Sequence, residues 1–172
     1  MSRLVAIDPG KWACGVAIFD DGVLSRAAFV RATRTATDSP LERWVAMGRA
    51  VAGYVGTGAR GRVELVSEVP RVYPQARGVD PMDLMELTGA VGTIAGFLGV
   101  PCRSYYPREW KGTIDGDAFV ATRIMPRIRS MPAAVQARIE WPAASLRHNV
   151  ADAIGLGLFA LGGLAPRRVY DP

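Results

Sequence analysis

The chain has 172 residues, of which 49% are hydrophobic and 22% charged, with a formal net charge of +5 at pH 7. These fractions are typical of a folded domain with a full core, and they exclude a disordered tail, a collagen-like repeat and a disulfide scaffold. The length predicts a single domain, residues 1–172. Because Cys14 and Cys102 are too few for a disulfide framework, we expect both to be reduced and buried.

Two further features of the composition bear on location and partner. The chain enters a strand-like run directly, and its longest apolar stretches are shorter than the ~18 residues that span a bilayer, so we expect no membrane segment and a cytoplasmic location. Only Lys11 and Lys111 of the 21 basic residues are lysines, which leaves 19 arginines. Arginine favours bidentate phosphate contacts and so indicates a polyanionic partner, although a coding bias toward arginine explains the ratio equally well.

The hydrophobic pattern predicts, in chain order, three strands, a helix, a strand, a second helix and a fifth strand, followed by an irregular proline-containing stretch and a last helix. The predicted elements are strands 3–8, 13–19 and 23–30, helix 40–56, strand 62–69, helix 82–98, strand 100–106, the irregular stretch 107–146 and helix 148–161. This order predicts an α/β fold: a five-stranded mixed sheet, its first three strands antiparallel, flanked by helices.

Three carboxylates stand where apolar surroundings are expected. Asp8 ends the first strand, Glu68 ends the fourth and Asp152 lies in an alanine- and valine-rich helix. Singly, Asp8 fits an ordinary turn and Glu68 a solvated strand end. Together they favour a divalent cation site, because grouped carboxylates repel unless a cation takes their oxygens as ligands. Glu64, four residues before Glu68, is a weaker candidate because it lies further along the strand.

The last helix offers a fourth group for this site. His148 and Asn149 precede Asp152 by four and three residues, so each can share its side of the helix. Considered alone, His148 is most simply explained as an ordinary N-terminal residue of the helix.

Short motifs along nearly the whole chain resemble those of the RuvC family of Holliday junction resolvases, within the RNase H-like superfamily. Ala6-Ile7-Asp8-Pro9-Gly10 resembles the opening motif of the family, and Val66-Ser67-Glu68-Val69-Pro70 its second acidic motif. His148-Asn149-Val150-Ala151-Asp152-Ala153 resembles the C-terminal motif, and Tyr106-Pro107-Arg108-Glu109-Trp110-Lys111-Gly112 the lysine-bearing segment. The sequence departs from the family pattern at Asn149, so the fourth group that the resemblance implies is supplied either by His148, which we favour, or by Asn149 as a neutral oxygen ligand. Only Arg123 could stand in for a later basic residue.

The resemblance implies a Mg²⁺-dependent endonuclease that resolves four-way DNA junctions by paired nicks. Asp8 would bridge two Mg²⁺ ions, for which Mn²⁺ could substitute, and Glu68 and Asp152 would each bind one or both. His148 would orient or deprotonate the attacking water, or help to bind the second ion.

The partner implied by the resemblance is branched DNA, bound by a homodimer. Arg71, Tyr73 and Arg77 follow Glu68 directly and could contact junction bases and phosphates, or form an ordinary surface loop. Lys111 is a further DNA-binding candidate. A two-fold dimer would supply two nicks on opposed strands, and the glycines of the predicted helix 82–98, Gly89, Gly92 and Gly96, permit either a dimer contact or packing within the chain.

Two other functions stay open at this point. The same fold could serve an RNase H-like nuclease acting on RNA or RNA–DNA hybrids, as in the YqgF-type relatives. The chain could also be a non-catalytic module that binds branched DNA. A sugar-kinase- or actin-like nucleotide binder is excluded, because 172 residues leave no room for two duplicated domains.

Overall fold

The computed structural model describes residues 2–33, 39–56, 62–69, 81–114 and 116–164. Its centre is a mixed sheet whose strands lie in the order β5-β4-β1-β2-β3-β6. The strands are β1 (Ser2–Asp8), β2 (Ala13–Asp20), β3 (Val23–Arg31), β4 (Arg62–Glu68), β5 (Cys102–Tyr105) and β6 (Ile139–Glu140).

The first three strands form the predicted antiparallel meander. The turn between β2 and β3 places Asp21 at φ 48° and Gly22 at φ 81°. Positive φ at both central residues matches the right-handed twist of the paired strands, and the Asp-Gly dipeptide tolerates it. The local sequence therefore determines this hairpin.

The remaining strands join in parallel, as their helical connections require. β4 pairs with β1, and β5 pairs with β4. The predicted count of five strands is wrong by one, because the two-residue strand β6 adds to the free edge of β3. A two-residue strand carries no alternation of its own, and only its pairing with β3 defines it.

Helices cover both faces of the sheet. Helices α1 (Pro40–Val55) and α2 (Pro81–Leu98) lie on one face, and the terminal helix α7 (Arg147–Ala160) lies on the other. Alternate residues of β1 supply the two cores: Val5 and Ile7 pack toward α1 and α2, while Leu4 and Ala6 pack toward α7. By this alternation Asp8 belongs to the α7 face.

The stretch 107–146, predicted to be irregular, contains several short helices. They are α3 (Pro107–Trp110), α4 (Gly116–Phe119), a π-helical turn (Val120–Ile124), α5 (Met125–Ser130), α6 (Ala133–Gln136) and a 3₁₀ turn (Ala144–Leu146). Their buried residues Phe119, Ile124 and Ile128 pack into the core under α7. Prolines prevent a long helix with a continuous apolar face in this stretch. Contacts with the core therefore stabilise these short helical turns.

Two expectations about small residues are refined. Gly89 of α2 faces the Trp44 ring of α1, whereas Gly92 and Gly96 face open space, so this helix packs against α1 through one of its three glycines. Cys14 is buried as expected, but Cys102 is exposed on edge strand β5. In the described part of the chain, no helix has both the length and the apolar character needed to cross a membrane.

Candidate functional site

The register of the sheet brings two of the candidate carboxylates side by side. Ile7 of β1 pairs with Ser67 of β4, so Asp8 and Glu68 lie level at the ends of adjacent parallel strands. Neighbouring strands lie about 4.8 Å apart, and both residues point to the α7 face. The sheet therefore places two carboxylates at the same end of these adjacent strands and on the same face.

Helix α7 brings the third carboxylate to this face. Its start passes close over β2 at Gly15, where a Cβ atom would lie 1.9 Å from the Asn149 carbonyl oxygen. Asp152, one turn further along, is 8% exposed and is surrounded by the buried residues Val150, Ala151 and Ala153. The absence of a side chain at Gly15 thus permits the close approach that carries Asp152 over the sheet.

Lys111 connects the carboxylates. Its ammonium lies 3.1 Å from Glu68 Oε2 and 3.2 Å from Asp152 Oδ2, with 13% of its side chain exposed. The Trp110 indole N–H donates to Glu68 Oε2 at 3.1 Å, and the ammonium lies 4.6 Å from the centroid of the Trp110 ring. Two adjacent residues thus hold Glu68 in place.

The short helix α3 positions this pair. Pro107 is its first residue, and the Glu109 carboxylate accepts a hydrogen bond of 2.5 Å from the Tyr106 backbone N–H. The helix ends at Trp110, and Gly112, two residues further on, has a φ of 70° that favours glycine. Trp110 is buried edge-on against Phe119 at 5.3 Å between ring centroids.

The charges of the cluster shift one another. Burial, followed by repulsion from Asp152 and Glu68, raises the pKa of Asp8 well above its usual range, and Lys111 opposes this rise. Burial also raises the pKa of Asp152, against the attraction of Lys111. Burial lowers the pKa of Lys111, but the nearby carboxylates outweigh this effect, so its net pKa is raised.

The donor chemistry of the cluster fits a hard divalent cation. Asp8, Glu68 and Asp152 supply carboxylate oxygens, the ligands that Mg²⁺ prefers, and Asp152 Oδ1 is buried with no hydrogen-bond partner among the described residues. Within the described ranges, no three His, Cys, Asp or Glu side chains are already spaced as a metal cluster. Glu68 and Asp152 instead contact the Lys111 ammonium, which lies between them.

The structure separates the two candidates for the fourth group. His148 is exposed on the first turn of α7, and its charge would act favourably on the Asp152 carboxylate. The Asn149 side-chain amide instead donates to the Leu146 carbonyl oxygen at 3.1 Å, against the start of its own helix. The Asn149 amide nitrogen is thus bonded within its own helix, whereas His148 lies exposed one turn before Asp152.

Glu64 is not part of the cluster. Its carboxylate pairs with Arg103 Nε at 3.1 Å, and it lines a separate cleft near the start of β1 and β4. The loop candidates Arg71, Tyr73 and Arg77 lie outside the described residues.

A cleft opens beside the carboxylates. It has a volume of about 610 Å³, and Glu68, Arg108, Lys111 and Thr113 are among its lining residues. Sequence reasoning did not select Arg108 as a site residue, nor Trp110 as a partner of Glu68. The signal for Trp110 was its N–H, which needs an acceptor when the ring is buried.

Comparison with known proteins gives one consistent relationship. No family model matches the chain. It is 28% identical over 168 residues to the crossover junction endodeoxyribonuclease RuvC of Leifsonia xyli subsp. xyli. The matched residues cover 95% of this chain and 76% of that protein. The protein of the same name from Mycobacterium ulcerans is 29% identical over 118 residues, covering 67% of this chain and 62% of the relative.

Solved structures agree on the fold. Thermus thermophilus RuvC, in complex with a Holliday junction substrate, superposes with a TM-score of 0.57 and 16% identity, covering 96% of this chain and 99% of that one. Another T. thermophilus RuvC structure gives a TM-score of 0.54 at 19% identity, covering 95% and 99% of the two chains. The sequence comparison and the structural comparison agree: the chain is similar in sequence to RuvC proteins along almost its whole length, and it shares the fold of T. thermophilus RuvC.

Proposed function

We propose that this protein is a metal-dependent, structure-selective endonuclease that resolves four-way DNA junctions by paired nicks, with residues 1–172 as one nuclease domain acting in the bacterial cytoplasm. The observation that carries the proposal is the convergence of Asp8, Glu68 and Asp152 at the ends of strands β1 and β4, beside a cleft. The names of the curated relatives and the junction complex of the T. thermophilus protein support it.

In this proposal Asp8, Glu68 and Asp152 hold Mg²⁺, with two ions per site and Mn²⁺ able to substitute. The buried, unpartnered Oδ1 of Asp152 supports this assignment. When bound, the metal supplies stabilisation of the attacking water and of the leaving oxygen. The protein supplies fixed positions, because the strand ends and α7 orient the three carboxylates independently.

The neighbouring side chains have separate proposed roles. His148 orients the attacking water or accepts its proton at a ring nitrogen, which its exposed place near Asp152 permits. Lys111 holds Glu68 and Asp152 in place before metal and DNA bind, and Trp110 restrains Glu68. Arg71, Tyr73 and Arg77 are proposed DNA contacts of the loop that follows Glu68.

We further propose that two copies of the chain associate through α2. Met85 of this helix is 61% exposed, and Gly92 and Gly96, seven and eleven residues further along, face open space on the same side, whereas Phe97 lies against Gly48 of α1. A second copy would cover this apolar stripe and supply the second nick. We expect Met85→Glu to shift the chain toward monomer in sedimentation velocity. An unchanged sedimentation coefficient would exclude this face.

A panel of DNA and RNA substrates tests the function. Four-way junction, flap, linear duplex and RNA–DNA hybrid are incubated with and without Mg²⁺, and we expect paired nicks in the junction only with Mg²⁺. Equal cutting of linear duplex would remove the resolvase claim but keep the nuclease one, and preferred cutting of the hybrid would favour the RNase H-like alternative.

Single substitutions test the metal ligands. We expect Asp8→Asn, Glu68→Gln and Asp152→Asn each to abolish cleavage while junction binding persists. Glu64→Gln is the matched control, because it removes one carboxylate from the same sheet outside the cluster. Normal cleavage by any of the three cluster variants would contradict the assignment.

One observation favours a second candidate, a non-catalytic module that binds branched DNA. The Lys111 ammonium contacts both Glu68 and Asp152, as it would in a site that needs no metal. Retention on junction DNA without cleavage in either Mg²⁺ or Mn²⁺ would decide for this alternative.

A further inference from the structure

A row of paired residues leads from Asp8, on the interior strand β1, across the sheet toward the edge formed by β3 and β6. Asp8 pairs with Gly15, and Gly15 pairs with Phe29 of β3. Strand β6 lies beside β3, and Trp141 follows it directly. With a strand spacing of about 4.8 Å, Phe29 lies about 10 Å across the sheet from Asp8, on the same face.

This edge of the sheet carries a groove of about 290 Å³ with an unusual lining. Phe29 and Trp141 are half-buried in its wall, and the exposed Arg31 places its guanidinium 5.1 Å from the centroid of the Phe29 ring. Glu140 also lines the groove, but it points to the other face of β6, where its charge acts on Tyr54. The α7 face of the groove therefore presents two aromatic rings and one cation.

The surface between groove and carboxylates suits an anionic strand. The first turn of α7 lies over Gly15, and its residues Arg147 and His148 are exposed. A strand leaving the carboxylates toward β3 would pass this turn and reach the groove. Aromatic faces beside arginine bind single-stranded nucleic acid irrespective of sequence, because every base has a π-face and every linkage a charge.

We propose that the groove formed by Phe29, Arg31 and Trp141 binds an unpaired stretch of the DNA strand next to the position that is cut. A base stacks on the Trp141 ring, and Arg31, which lies over the neighbouring Phe29 ring, contacts a backbone phosphate. The inference rests on the proposed function for the path of the strand, whereas the binding itself is measured without cleavage.

The test uses fluorescein-labelled oligothymidine of about 12 nucleotides, titrated by anisotropy without divalent metal. We expect Trp141→Leu to weaken binding about 5- to 30-fold and Trp141→Phe, which keeps a ring, to stay within about 3-fold of wild type. We expect Arg31→Gln to weaken it about 2- to 5-fold and to lower the slope of log affinity against log salt by about 0.7. Arg62→Gln, at the far end of β4, removes the same charge and is the control.

Each outcome bears on one of the two proposals. If the Arg31→Gln and Trp141→Leu variants bind oligothymidine as the Arg62→Gln variant does, or if Trp141→Phe loses as much as Trp141→Leu, the groove proposal is overturned. It is also overturned if the wild-type protein does not bind the oligonucleotide. Junction cleavage by the wild-type protein, assayed separately in Mg²⁺, reports on the endonuclease alone, so either proposal can fail without the other.

Discussion

Substituting Lys111 by Met removes the positive charge from the carboxylate cluster while keeping most of the side-chain volume. At 3.1–3.2 Å and an effective dielectric constant near 20, each of its two carboxylate contacts supplies about 5 kcal/mol of attraction. The cost of burying the ammonium, several kcal/mol, offsets much of this. We therefore expect Lys111→Met to lower the free energy of unfolding by about 2–4 kcal/mol in metal-free buffer at neutral pH.

Thermal unfolding in EDTA, followed by circular dichroism, measures this change. The expected loss corresponds to a fall of about 5–15 °C in Tm. Lys11→Met is the matched control, because Lys11 is the only other lysine and its ion pair with Asp83 is 40% exposed on each side, so we expect a much smaller loss. A Lys111→Met variant as stable as the Lys11→Met variant would refute the reasoning.

The same variant tests whether lysine and metal use the same oxygens. With the ammonium gone, Mg²⁺ meets no competitor at Glu68 and Asp152. We expect the concentration of Mg²⁺ that gives half-maximal thermal stabilisation to fall below the wild-type value. A higher concentration for Lys111→Met would show that Lys111 assists metal binding rather than competing with it.

Two further variants test the packing of α7 and an ion pair. Gly15→Ala inserts a Cβ at 1.9 Å from the Asn149 carbonyl oxygen, so we expect a loss of about 2 kcal/mol or more in urea unfolding, against a gain of about 0.5–1 kcal/mol for Gly53→Ala, which meets open space in α1. The hydrogen bond from Arg3 lowers the pKa of Asp20, so their pairing stabilises the fold above the unfolded value of about 3.9 and is lost as pH falls through the lowered folded value. Asp20→Asn should therefore cost about 1 kcal/mol at pH 7 and progressively less as the pH is lowered through the acidic range, and a cost that does not change with pH would contradict the pairing.

The periodicity of hydrophobic residues in the sequence was enough to predict the long strands and helices. Strands β1 to β4 and helices α1, α2 and α7 lie within about two residues of their predicted bounds, because each carries a full apolar face and a clear turn or cap. The elements between α3 and α6 and the strand β6 were not predictable, because segments of two to six residues have no period of their own. Contacts with α7 and β3 define them.

The candidate site likewise has features that the sequence predicts and features that it does not. Carboxylates in apolar contexts are visible in the sequence, because an unpaired buried charge is too costly to be incidental. The interactions of Lys111 are not visible, since the residues it contacts are 43 and 41 positions away in the chain. Nor is the row that joins Asp8 to Phe29, which depends on the register of two strand pairs.

The sequence by itself determined the order of strands and helices, the three acidic positions and the resemblance to one nuclease family, because local period, turn residues and misplaced charges are properties of neighbouring residues. Only the tertiary structure decided that Lys111 contacts both Glu68 and Asp152, that the Asn149 amide bonds to Leu146 while His148 stays exposed, and that an aromatic groove lies on the same face. The physical reason is that strand register and the close contact of α7 at Gly15 bring together residues from distant parts of the chain.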